Sequence, residues 1–72
     1  MNPRTDCEVA PDDHSEDQRL HRGLAFVDLK RMVREGSWRP RSDGHIDIVY
    51  GKWSIRVKLG RCIISVDTVF QT

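Results

Sequence analysis

Several common protein types are ruled out by what this chain has little of. No run of apolar residues approaches the ~20 needed to cross a bilayer, so no membrane span and no membrane partner is expected. Two cysteines, Cys7 and Cys62, are too few for a disulfide framework and have no CxxC neighbour. The start of the chain lacks the charged, apolar and small-residue order of a secretory signal, so reduced thiols and a cytoplasmic location are expected. The three histidines form no closely spaced ligand set, His14 and His21 being two turns apart on one helix, so no metal and no cofactor is implied. No internal repeat is present. Seventy-two residues exclude a second domain, and at this size folding buries roughly 60% of the extended chain's surface.

What is there begins with charge. The formal net charge is +1, but residues 1–21 hold two basic against six acidic side chains, and residues 22–61 hold ten basic against four acidic. A basic body able to meet phosphates therefore follows an acidic N-terminal segment.

The last third, HIDIVYGKWSIRVKLGRCIISVDTVFQT, reads as three strands joined by two Gly-X turns. Counting from Gly51 pairs Tyr50 with Trp53, Ile48 with Ile55 and Ile46 with Val57. Counting from Gly60 pairs Val57 with Ile64, Ile55 with Val66 and Trp53 with Thr68. One face is then apolar. The other carries the rows His45-Lys58-Ile63, Asp47-Arg56-Ser65 and Val49-Ser54-Asp67, so the sheet needs a cover on one side only. Cys62 falls on the apolar face by this count, where thiols are usually inert.

The cover lies upstream. Asp13 with Glu16 three residues on resembles a capping box, and Gly23 ends this first helix. Leu29, Met32 and Val33, one turn after Phe26, form the apolar stripe of a second helix that Gly36 closes. Residues 37–44, SWRPRSDG, read as a polar connection with Arg39 and Arg41 exposed on it. The expected fold is α+β, with two short N-terminal helices on one face of a three-stranded antiparallel meander. Residues 12–72 form the single domain. Residues 1–11 are a flexible tail or a short edge strand, which would be a fourth strand.

His14-Ser15, then Arg22-Gly23-Leu24 after six residues, Asp28, the helix-ending Glu35-Gly36 and the terminal Ser65-Val66-Asp67-Thr68-Val69-Phe70 resemble a small family of uncharacterised bacterial domains. That family is placed with the barnase, colicin and RelE type ribonuclease-toxin fold. The resemblance covers about residues 12–70 and implies a toxin of the toxin-antitoxin kind, with His14, Arg22 and Thr68 at the polar signature positions. The family often has Arg four residues after the histidine, where this chain has Gln18, and a Ser-type N-cap before the second helix, where it has Ala25.

Cleavage of RNA by its own 2′-hydroxyl needs a base, an acid and cations for the phosphate. His14 and His45 titrate near neutrality and suit acid or base work, and Arg22 offers a bidentate fork. Arg56 faces Asp47 in the register, so an ordinary cross-strand ion pair stands beside a phosphate contact. Lys58 has no acidic partner in the register and is the better phosphate candidate. With Arg39 and Arg41 these side chains form the expected RNA footprint.

The leading expectation is a metal-independent, cytoplasmic ribonuclease toxin with catalytic His14, Arg22, His45 and Thr68. The alternative is a non-enzymatic binding protein of a mobile genetic element, docking on a nucleoprotein complex or a partner protein. Open sheet edges suit an antitoxin, an immunity protein or a second copy of this chain.

Overall fold

The computed structural model describes residues 7–71; the part of the expected tail at residues 1–6 lies outside them. The element order is β1 (Glu8–Pro11), α1 (Asp13–His21), α2 (Phe26–Glu35), β2 (Ser37–Pro40), β3 (Ile46–Tyr50), β4 (Trp53–Leu59) and β5 (Ile63–Gln71). The fold is α+β, with a five-stranded mixed sheet in the order β1-β5-β4-β3-β2 in place of the expected three- or four-stranded antiparallel meander.

The two extra strands have separate causes. Glu8–Pro11 runs parallel to β5 and buries Val9 in the core, so this part of the expected tail is an edge strand. Ser37–Pro40 lies antiparallel to β3, and Trp38, paired with Ile48, donates from Nε1 to the Val33 carbonyl at 2.9 Å. That bond ties β2 to the end of α2. It turns part of a segment that reads as a loop into a strand.

The β3 and β4 hairpin has the expected register throughout, with Gly51 at φ 61° in its turn. The β4 and β5 hairpin does not. Its loop is longer, closed by Gly60 N–H donating to the Ile63 carbonyl at 2.8 Å, and Leu59 pairs with Ile64. Val57 accordingly faces Val66 in place of Ile64, a shift of two residues that keeps both on the apolar face. A bulge at Asp67 then reverses the alternation. Thr68 moves to the polar face opposite Arg56, and Val69 takes its place in the core opposite Ile55.

Cys62 is a further correction. It sits exposed in this loop at φ 45°, not on the apolar face, and forms a disulfide with Cys7.

Both helices cover one face. Leu29, Met32 and Val33 pack with Ile48, Ile55, Val57, Ile64, Val66 and Val69, all essentially inaccessible. The N-cap of α1 is Asp12, one residue before the expected Asp13, and its side chain accepts from Ser15 N–H at 2.8 Å. Buried Ser15 in turn donates to the Val66 carbonyl at 2.7 Å. At the other end Gly23 N–H reaches the Leu20 carbonyl and Leu24 N–H the Arg19 carbonyl, a Schellman motif. Gly23 can take the φ of 71° this requires.

Candidate functional site

The residues expected to carry chemistry fall into two groups on opposite sides of the sheet. His14 lies on α1 and Arg22 is its C-cap residue, on the covered side. His45, Arg56, Lys58 and Thr68 lie on the open face, with Arg39 and Arg41 at its β2 margin.

On the open face, charges of opposite sign satisfy one another. Arg56 Nε donates to Asp47 Oδ1 at 3.0 Å, and Arg41 donates to Asp47 Oδ2 at 3.1 Å and lies 3.5 Å from Asp43. Burial pulls the Asp47 carboxyl upward, but the two guanidiniums bonded to it outweigh that and hold it below the ordinary carboxylate range. Asp43 is lowered too, first by the hydrogen bond from His45 N–H. Arg56 also lies over the Phe70 ring, 5.4 Å from its centroid. Both members of the expected ion pair are thus found, and Arg41 joins it.

His45 is held in the same way. Its Nε2 is 2.8 Å from Asp67 Oδ2, and its Nδ1 faces Asp43 Oδ1 at 3.4 Å, buried and without a hydrogen-bond partner. Through these contacts His45 clamps the loop before β3 against the β5 bulge. Thr68, beside Arg56 on this face, is separated by the sheet from His14 and Arg22. Lys58 is exposed and makes no ion pair among the described residues, as its register position implies.

The α1 side differs in kind. His14, Asp17, Gln18, His21 and Arg22 line one open groove of about 430 Å³. Their spacing of i, i+3, i+4, i+7 and i+8 sets them on a single helix face. Neither His14 nor His21 has a hydrogen-bond or ion-pair partner among the described residues, and both are exposed. Arg22 likewise has no carboxylate partner among them; it lies over Trp53, 5.9 Å from the ring centroid. By contrast Arg19, on the next face, is locked to Glu16 at 2.6 Å and to the Leu24 carbonyl at 2.8 Å. The glutamate's hydrogen bond raises the Arg19 pKa and lowers its own.

Gln18 fixes the groove to the sheet. Its Oε1 accepts from Val69 N–H at 2.8 Å, on the stretch of β5 that β1 does not cover. The side-chain NH2 is left as a neutral donor. His21, whose spacing from His14 the sequence reading treats as a metal question alone, joins this lining. The i, i+7 repeat with Arg22 adjacent is the signal that would have found it.

Among the described residues no helix is long and apolar enough to cross a membrane, and no three His, Cys, Asp or Glu side chains converge as metal ligands. No family model, curated protein or solved structure matches the chain.

Proposed function

We propose that the domain is a metal-independent ribonuclease acting from the α1 groove, in the manner of a toxin. The observation that carries this reading is the presence of two unpaired imidazoles and an unpaired guanidinium on one groove-lining helix face. Two turns separate His14 from His21, roughly 10 Å of helix rise, so the rings flank a phosphodiester from two sides. In-line attack needs that placement. One imidazole takes the 2′-hydroxyl proton as that oxygen attacks phosphorus, and the other protonates the departing 5′-oxygen, giving a cyclic phosphate and a free 5′-hydroxyl. Arg22 and the Gln18 amide supply donors to the phosphate oxygens as their charge grows. Asp17, in the same groove, weakens phosphate binding and keeps affinity modest.

An RNA substrate points to a cytoplasmic protein, where glutathione keeps thiols reduced. In that compartment the link between Cys7 and Cys62 would open, so cleavage is expected from the oxidised and the reduced chain alike. The test is incubation of the purified protein with a mixed-sequence RNA in EDTA. Cleavage that is bell-shaped in pH and lost in His14→Ala and His21→Ala supports the proposal; an inert parent at every pH overturns it.

A second reading, a non-enzymatic protein of a mobile element that docks on a partner, is favoured by one feature. β1 pairs β5 only at Ile63–Val66, so among the described residues no strand covers the edge from Asp67 to Gln71, where Gln18 accepts from Val69 N–H, a length suited to an added strand from an antitoxin, an immunity protein or a second copy.

A further inference from the structure

We propose that the bond between Cys7 and Cys62 is a thiol-exchange site, attacked at Cys62 by a small thiol such as glutathione, and that its opening releases β1 from the edge of β5. The inference holds whether or not the α1 groove cleaves RNA. The bond joins positions 55 apart in sequence: Cys7, immediately before β1, and Cys62, in the loop that leads into β5. Beside it the Glu8 N–H donates to the Cys62 carbonyl at 3.2 Å. The link thus stands at the outer end of the β1 ladder.

The two cysteines are unequally placed. Cys7 is half-buried and packs against the core, whereas Cys62 is exposed at a φ of 45°. A residue with a β-carbon is strained in that left-handed region, and a freed Cys62 can leave it. Exchange runs at the sulfur a thiolate can reach, so Cys62 is attacked and Cys7 leaves. Arg61, exposed beside Cys62 and without an ion pair among the described residues, favours the anionic thiolate; exposed Glu8, at the start of β1, opposes it. The thiolate's electron pair forms the new bond to Cys62, the old bond breaks, and its pair leaves on Cys7, which takes up a proton from water. A second glutathione displaces Cys62 in the same way. One disulfide is thereby reduced to two thiols as two glutathiones are oxidised to one disulfide.

With the link gone, little holds β1. The strand is four residues long and ends in Pro11, which has no N–H to give to the ladder. Val9 is its one buried side chain. The helix that follows is held independently: Asp12 N–H donates to the Val66 carbonyl at 3.1 Å, Ser15 Oγ donates to the same carbonyl at 2.7 Å, and Gln18 accepts from Val69 N–H. The hinge therefore falls at Asp12, and β1 can part without moving the groove. What it uncovers is Ile63–Val66, which joins Asp67–Gln71 to make all nine residues of β5 an open edge. An edge of that length accepts an added strand along its whole course.

Equilibration of the oxidised full chain with mixtures of reduced and oxidised glutathione tests this, with acid-quenched peptide mass spectrometry locating the adduct and amide hydrogen exchange reading the strands. The expected results are a mixed disulfide on Cys62 and, in the fully reduced chain, at least about ten-fold faster exchange at the Glu8 amide and along β1, with α1, β3 and β4 unchanged. Cys62→Ser, an exposed change that spares the core, should show the same freed strand without any reductant. An adduct chiefly on Cys7, or none at any glutathione ratio, would overturn the exchange site. Equal protection of β1 in the oxidised and reduced chains, or faster exchange spread evenly over the sheet, would overturn the release.

Discussion

The open face of the sheet and the outer face of α1 hold nearly the same types of side chain, yet the open face holds its histidine and two of its arginines on carboxylates and leaves Lys58 without one, whereas α1 leaves both its histidines without one among the described residues. On the open face Asp47 takes Arg41 and Arg56, and Asp43 and Asp67 bracket His45. On α1, Glu16 takes Arg19, and the residues one step round the helix, His14, His21 and Arg22, have no carboxylate partner among the described residues. A cation already hydrogen-bonded to a carboxylate must break that bond to bind phosphate, so residue type alone says little about function. Pairing decides it.

The contrast can be broken most directly in the groove. His21→Ala removes an exposed side chain with little structural role and should lower the cleavage rate by about 10²-fold to 10⁴-fold, measured under single-turnover conditions. A variant at the parental rate would take His21 out of the chemistry. Both faces stand on one core, so Ile55→Ala, at a fully buried position under the helices, should cost on the order of 2 to 5 kcal/mol. Denaturant unfolding checks this, and a loss below about 1 kcal/mol would contradict the packing.

Asp47→Asn sharpens the comparison by freeing what it neutralises. Arg41 and Arg56 lose their shared anion, and RNA affinity should become more salt-dependent by up to about two phosphate contacts. The same variant has a pH signature. The Asp47 carboxyl is held below its unfolded value, so its contribution to stability is present at neutral pH. It is lost as pH falls below about 4, where the unfolded chain begins to take up the proton. Thermal unfolding of the parent should therefore decline more steeply in acid than that of Asp47→Asn. The smallest effect is expected from Asp17→Asn, which takes an anion out of the groove and should tighten RNA binding by about two- to three-fold.

The fold was legible where local rules act alone. Gly51 and strict alternation set the β3 and β4 register, and the Leu29, Met32 and Val33 stripe identifies the covering face. The rest depended on contacts distant in sequence. A parallel pairing between Glu8–Pro11 and the far end of the chain has no local signature, and Ser37–Pro40 reads as a loop until the Trp38 indole finds the Val33 carbonyl. The bulge at Asp67 mattered most for the site. It exchanges the faces of Thr68 and Val69, and Asp67 there meets His45. The spacing of His14 and Arg22 is plain in the sequence, whereas the bracketing of His45 by Asp43 and Asp67 is not.

A single comparison bears most directly on the claim that the α1 groove is the working surface: cleavage of one RNA by His14→Ala and by His45→Ala, both checked for folding. A rate about 10²-fold or more below the parent is expected for His14→Ala, and near-parental cleavage for His45→Ala, which loses only the clamp between Asp43 and Asp67. An inactive His45→Ala beside a fully active His14→Ala would contradict it and move the site to the open face.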